Sequence, residues 1–275
     1  MNLPDTRRAA IEAATVAGEA AGFRGARPVV LQDSNNVVVW LAPHEVVAKV
    51  GVWPHSAEVL GREVGVCAHL AALGAPVAAP IGELRHTPAM GLPVSLWERL
   101  QPATTGSPSD GDLVTMVQQV HAGLASYAGQ LPTYRVAVDH ARATLFDDHR
   151  MSALRRSDLR LLRDAFDEWA SRTRAWSAET QPLHGDLHLG NVITAAGGPT
   201  LIDFEAVCKG PLEWDLASMP AGVIEAAGPV DNELLVLLRL LNSARVATWS
   251  WSLADHETMR ALGEQELAVV RAAAE

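Results

Sequence analysis

The sequence predicts an α+β protein of two lobes: an antiparallel β-sheet with one main helix, followed by a mostly helical half. Three observations carry that reading. First, three β-branched runs, Pro28–Leu31, Val37–Leu41 and Glu45–Val50, are separated by Asp33-Ser34-Asn35-Asn36 and Ala42-Pro43-His44. Short extended runs divided by turn residues are the signature of an antiparallel meander. Second, beyond residue 112 the apolar residues recur at spacings of three and four, as helices require. Third, the intervening stretch Pro102–Gly111 turns to Pro, Thr, Ser and Gly, which marks a connection.

Each element has its own local reason. Residues 5–21 carry Ile11, Ala14, Val16 and Ala20 at helical spacing and end at Gly22. Ser56–Leu73 is the main helix of the first lobe, with Ser56 as N-cap and Gly74 as its stop. Val77–Ile81 and Pro93–Leu100 supply two more strands, so the first hundred residues read β-β-β-α-β-β after the leading helix. Leu113–Tyr127, Val138–Met151 and Asp158–Trp176 are helices, and Leu183–Asp203 is a short β-and-loop segment. Leu212–Met219, Asn232–Trp251 and His256–Ala274 complete the chain as helices. The expected division is a lobe over residues 1–100, with a connection at about 97–102, and a second over 101–275.

Composition removes several classes of function. The 275 residues carry a net charge of −10 and are 48% hydrophobic. That acidity repels nucleic acid and anionic membranes, so neither is expected as a partner, and it suits a cationic ligand. Two cysteines, Cys67 and Cys208, cannot build a disulfide framework or a zinc site. Asp5, Arg7, Arg8, Glu12 and Glu19 interrupt the N-terminal stretch as a signal region, and no window of 18 residues is apolar enough to span a membrane. A cytoplasmic protein is expected. Oligomeric state has no signal in the sequence. All but two basic side chains are arginine, the exceptions being Lys49 and Lys209.

The chemistry is concentrated in His184-Gly185-Asp186-Leu187-His188-Leu189-Gly190-Asn191 and Leu201-Ile202-Asp203-Phe204-Glu205. Asp186 and Asn191 are five apart, and Asp203 lies seventeen beyond Asp186. Phosphoryl transfer needs a carboxylate to orient the attacking hydroxyl, and oxygen ligands from an Asn and a second Asp to hold Mg²⁺. This loop and strand offer both. The first lobe supplies a matching pair: Lys49 on the third strand, to hold phosphates, and Glu63 on the following helix, to hold the lysine. Glu58, on a different face of that helix, is its competitor, and either acid read alone is an ordinary solvent-facing residue. His184, Asp186 and His188 also allow a metal-hydrolase cluster, but that reading leaves Asn191, Asp203 and Lys49 without a task. No GxxxxGK or GxSxG motif is present.

These segments resemble the aminoglycoside phosphotransferase family of kinase-like small-molecule phosphotransferases. HGDLHLGN is similar to its catalytic loop, IDFE to its metal-site strand, and Glu213-Trp214-Asp215-Leu216-Ala217 to its downstream acidic segment. The resemblance, over roughly Val29 to Met219, implies a two-lobed protein-kinase-like fold with ATP and Mg²⁺ in the cleft. It implies Asp186 as catalytic base, Asn191 and Asp203 as metal ligands, and Lys49 with Glu63 as the phosphate anchor. It further implies that the backbone of Glu98 and Leu100 meets the adenine edge, and that Asp215 braces the catalytic loop.

Two departures stand out. The turn that covers the phosphates, Asp33–Asn36, lacks glycine, leaving the backbone N–H groups of Ser34 and Asn35 to cap phosphates; this puts nucleotide affinity in question. Leu189 stands where many relatives carry proline. The expected reaction moves the γ-phosphate of ATP, GTP not being excluded, to a hydroxyl of a small molecule. An aminoglycoside or other cationic antibiotic leads, with Glu205 and Glu213 as candidate cation partners and Trp214 as a stacking surface, although buried tryptophans are usually core. A metabolic kinase for an amino alcohol, sugar or macrolide is the rival. His184 reads as a structural brace, and His188 as an acceptor-pocket or packed residue. A nucleotide-binding pseudoenzyme is the reading from another class; its expected mark, loss of Lys49, Asp186 or Asp203, is absent.

Overall fold

The structure, a computed structural model, describes residues 3–87, 91–103, 106–255 and 257–274. It is a mixed α and β fold with an antiparallel sheet in the N-terminal part and helices in the C-terminal part, as the sequence predicts. The chain divides into two compact units, Met1–Gly129 with Gly190–Ala206, and Gln130–Leu189 with Val207–Glu275. The segment from Gly190, at the end of the HGDLHLGN run, to Ala206 therefore groups with the sheet.

In the first unit, α1 (Leu3–Ala20) precedes β1 (Arg27–Asp33), β2 (Asn36–Ala42) and β3 (Val46–Gly51). Then come α2 (Ser56–Ala72), β4 (Arg85–His86) and β5 (Pro93–Glu98), and the five antiparallel strands lie in the order β1-β2-β3-β5-β4. Ala10, Ala13, Ala14 and Ala17 bring α1 onto the sheet against Val37, Val39, Leu41, Val50 and Leu96. Alanine at this spacing makes a narrow apolar stripe that lets helix and sheet approach closely. The buried stripe includes only Ala14 of the four expected residues, and Val16 is exposed.

Three local expectations are corrected. Ser56 is not the N-cap of α2. His55 occupies that position in left-handed conformation (φ 70°) without a side-chain cap. The Ser56 hydroxyl instead turns back, donating to Trp53 O at 2.7 Å and accepting from Trp53 N–H at 3.1 Å. Residues 77–81 form only isolated bridges, Val77 with Leu201 and Pro80 with Trp97. Pro76 and Pro80 lack the N–H that a continuous ladder needs, and the outer strand is β4. α3 (Asp110–Ala125) begins earlier than expected because Ser109 and Asp112 form a reciprocal capping box. The remainder of this unit is β7 (Val192–Ala195) paired with β8 (Gly198–Leu201), flanked by short 3-10 turns at Leu189–Asn191 and Phe204–Ala206.

The second unit packs α4 (Arg135–Leu145) and α5 (Arg156–Ala175) against α8 (Asn232–Trp251), with α9 (Glu257–Ala274) alongside α8. His256, expected to open α9, lies outside the described residues. A two-stranded ribbon of β6 (Gln181–Leu183) and β9 (Cys208–Gly210) leads into α6 (Leu212–Leu216) and α7 (Ala221–Ala226). α8 matches its expected bounds, with the Asp231 carboxylate accepting from Glu233 and Leu234 N–H. The core of this unit is built from Leu145, Leu162, Phe166, Leu238 and Leu241, all fully buried. Among the described residues, no helix is long and apolar enough to cross a membrane.

Phe166→Ala should therefore destabilise the fold by about 3–5 kcal/mol, the usual cost of emptying a buried aromatic site. Chemical denaturation followed by circular dichroism measures the shift in midpoint.

Candidate active site

The first unit collects one cation among three carboxylates. β3 carries Lys49, in register with Val38 on β2 and Ser95 on β5. Its Nζ donates to both oxygens of Glu63 on α2, at 2.9 and 3.0 Å, and to Asp203 Oδ1 at 2.7 Å. It also pairs with Glu205. Glu63 is buried, and its Oε1 accepts a further bond from Phe204 N–H at 3.1 Å. Glu58 makes only a 3.6 Å contact with Arg62 and its side chain is 77% exposed, so Glu63 is the partner of Lys49.

The electrostatics follow from this crowding. Burial by itself favours the neutral amine of Lys49, but Glu63, Asp203 and Glu205 outweigh it and hold the ammonium well above its ordinary pKa. Burial pushes Glu63 and Glu205 up; Lys49 opposes the shift, and Asp203 adds to it in both. Asp203 follows β8 in left-handed conformation (φ 67°), which for a residue other than glycine stores about 1–3 kcal/mol. Aspartate tolerates this region better than most side chains.

Oxygen donors suited to a hard divalent cation are present here. Single oxygens of Glu63, Asp203 and Glu205 all lie within 4.8 Å of one another. All three carboxylates also pair with Lys49, and a cation bound among them would share them with that ammonium. Asn191 is buried in the 3-10 turn before β7, and its carbonyl accepts from Ile202 N–H at 2.9 Å, tying that turn to the strand that delivers Asp203.

The backbone expected to meet the nucleotide differs in part from expectation. Ser34 N–H donates to Asn36 O at 3.2 Å within the β1–β2 turn, so this group is committed inside the turn and does not stand ready to cap a phosphate. Asn35 lies at the tip of that turn. Asn36, not singled out from sequence, donates from Nδ2 to Glu205 and links the turn to the acidic cluster. Glu98 N–H is spent on Ala79 O at 3.1 Å and is not open to a base edge; Leu100 lies two residues past the end of β5.

The second unit holds residues His184–Leu189 of the candidate catalytic loop. Asp215, fully buried on α6, accepts from His184 N–H at 2.8 Å and Gly185 N–H at 2.7 Å. Gly185 has φ 87°, a conformation that favours glycine, and its carbonyl accepts from Trp214 Nε1 at 2.9 Å. His184 Nδ1 then accepts from Asp186 N–H at 3.2 Å. The loop is thus braced from α6 on two consecutive residues.

Asp186 itself meets Arg245 of α8, whose Nη2 donates to Oδ1 at 2.6 Å, and His188, whose Nε2 lies 3.7 Å from Oδ2. Burial alone would raise the pKa of Asp186. Arg245 and His188 overcome that and hold it well below the usual carboxylate range. Arg245 was not singled out from sequence. Its side chain is one of many arginines, and nothing in the helical spacing of α8 distinguishes it from a solvent-facing residue.

Three expected acceptor contacts are corrected. Glu205 pairs with Lys49 and Asn36, and Glu213 is buried and accepts from Asp231 N–H at 2.8 Å; neither carboxylate is free for a cationic acceptor. Trp214 is buried against Tyr134 (ring centroids 4.9 Å apart) and is engaged by Gly185 O, which makes it a brace and not a stacking platform.

A profile of the phosphotransferase enzyme family, APH, matches residues 26–262. The chain belongs to that family. It is a small-molecule kinase acting on a hydroxyl group. Among solved structures, the chain is similar to amicoumacin kinase hAmiN in complex with AMP-PNP, Ca2+ and Ami, at TM-score 0.72 and 13% identity, over 96% of this chain and 94% of that one. It is also similar to aminoglycoside 2'-phosphotransferase-IIIa in its GDP complex (TM-score 0.68, 14% identity, 94% and 98% covered). A third is choline kinase LicA from Streptococcus pneumoniae (TM-score 0.64, 13% identity, 92% and 98% covered). At such identities the likeness is one of fold. No curated protein sequence matches the chain.

Lys49→Met should leave Glu63, Asp203 and Glu205 facing one another without a cation, destabilising the protein by about 3 kcal/mol, as for a broken buried ion pair. Thermal unfolding measures that loss. Mg²⁺ should recover more stability in the variant than in the wild type.

Proposed function

We propose that the protein transfers the γ-phosphate of ATP to a hydroxyl group of a small molecule, with Asp186 as catalytic base. The observation that carries this reading is the Lys49–Glu63 pair touching Asp203. A buried ammonium, held by one carboxylate and adjoining another, is the arrangement that anchors nucleotide phosphates next to their metal.

Each residue has a task. Lys49 binds phosphate oxygens, and Glu63 keeps it oriented. Asp203 and Asn191 hold the divalent ion, Glu205 being a further oxygen donor beside Asp203. Mg²⁺ bound there supplies charge neutralisation for the transferring phosphate. Asn35, the Glu98 carbonyl and Leu100 contact the nucleotide. Asp186, kept ionised by Arg245 and His188, accepts a hydrogen bond from the acceptor hydroxyl and aims its oxygen at phosphorus. A carboxylate with so low a pKa is a weak base. Its contribution is chiefly orientation, with the proton leaving late, as a loose phosphoryl-transfer transition state allows. Asp215 and His184 hold the loop that presents it. Drawing on ATP, the enzyme works in the cytoplasm.

Asp186→Ala should lower kcat by on the order of 10³-fold or more while the circular dichroism spectrum shows that the fold survives. Near-normal turnover in that folded variant would remove Asp186 from the role of base. EDTA should abolish turnover, and Mg²⁺ should restore it. Competition between ATP and GTP in the same assay identifies the donor.

A further inference from the structure

Asp186 is not alone on its side of the second unit. Asn242 and Arg245 are one turn apart on α8 and are joined by a bond from Arg245 Nε to Asn242 Oδ1 at 2.9 Å. Asn242 Nδ2 donates in turn to Ser218 Oγ at 2.8 Å. The row therefore runs Ser218, Asn242, Arg245, Asp186, with His188 on the far oxygen of Asp186. The Arg245 guanidinium also lies over the Trp214 ring, 5.7 Å from its centroid, so its plane is held from two directions.

This guanidinium is partly exposed, and its bonds are spent through Nε and Nη2. Among the described residues, Nη1 has no hydrogen-bond partner. A fixed fork with an unused edge, next to the base, is suited to planar oxygen anions. Asp186 is its carboxylate partner, and its own helix supplies none. The residues one or two turns away on that face, Leu238, Leu241, Asn242, Thr248, Trp249 and Ser252, are all uncharged. The two acids expected to receive a cationic acceptor, Glu205 and Glu213, are committed elsewhere.

We infer that Arg245 recognises the acceptor, and that the acceptor is a hydroxy compound carrying a carboxylate or phosphate next to the reacting hydroxyl. This inference rests on the phosphotransfer reading above. Asp186 already offsets the charge of Arg245, so discrimination rests on hydrogen bonding: Nη1 offers only N–H donors, and an ammonium, which cannot accept, gains nothing there. A carboxylate or phosphate there gains charge-assisted hydrogen bonds worth roughly ten- to a hundred-fold. When such a group takes the free edge of Arg245, the guanidinium shares its charge with the acceptor, and Asp186 Oδ1 can turn to the hydroxyl. Recognition of the anion and readiness of the base are then one event.

The test compares wild type with Arg245→Met and Arg245→Lys. Mg²⁺- and ATP-dependent phosphate transfer is measured on three sets of probes: hydroxy acids (glycerate, gluconate), sugar phosphates, and amines (ethanolamine, choline, kanamycin). Binding of each probe is followed in parallel by the tryptophan fluorescence of the protein. The expected result is transfer to an anionic probe, with KM raised ten- to a hundred-fold in Arg245→Met, kcat falling less, and partial recovery in Arg245→Lys. The first two sets distinguish carboxylate from phosphate as the recognised group. Anionic probes that bind in an Arg245-dependent way without transfer would uphold the inference and overturn the phosphotransfer reading. Transfer confined to amines, KM for an anionic probe unchanged in Arg245→Met, or no anionic probe binding at all would overturn the inference.

Discussion

The contact between Lys49 and Glu63 is the constraint on which the first unit is organised. A lysine on the third strand of a sheet and a glutamate in the middle of a helix do not meet by local chemistry. They meet because α2 is laid where Glu63 faces the sheet, and burial makes either charge costly without the other. Once the pair exists, the remaining oxygen contacts follow. Phe204 N–H reaches Glu63, which fixes the chain after β8 and delivers Asp203 to Lys49. The left-handed backbone at Asp203 is tolerated because this set of bonds over-determines it.

The second unit solves a different problem with a related device, a buried carboxylate that accepts from backbone N–H groups, here two consecutive ones. Asp215 holds His184 and Gly185, so the loop carrying Asp186 has little freedom before any ligand arrives. Pre-organisation of this kind is where a kinase of this family gains rate, since the chemistry asks for position and charge, not for a covalent intermediate. The charge at Asp186 is set by α8 and not by the loop itself. Arg245 lowers its proton affinity and so trades basic strength for a permanently available acceptor oxygen.

Several failures of sequence reading share one cause. Ser56, Glu213 and Trp214 were read by residue type: a serine caps, a glutamate binds cations, a tryptophan stacks. Each instead satisfies a backbone group nearby, Ser56 on Trp53, Glu213 on Asp231 and Trp214 on Gly185. Buried polar atoms must find partners, and that demand outweighs the average habit of the residue. The prolines at 76 and 80 carried the opposite lesson, because their missing donors were visible in the sequence and still denied the strand expected there.

By itself the sequence determined the fold class and most of the element order, marked the loop and strand that carry the candidate chemistry, and favoured the glutamate that meets Lys49. Those features are legible because spacing along one element encodes a face, and because a loop such as HGDLHLGN carries its chemistry in contiguous residues. Only the tertiary structure decided that Asn36 and Glu205 join the Lys49 cluster, that Glu205 and Glu213 are already engaged, and that Arg245 stands beside Asp186. Asp186 and Arg245 are 59 residues apart and on different elements. No periodicity records such a meeting; it exists only once α8 has packed.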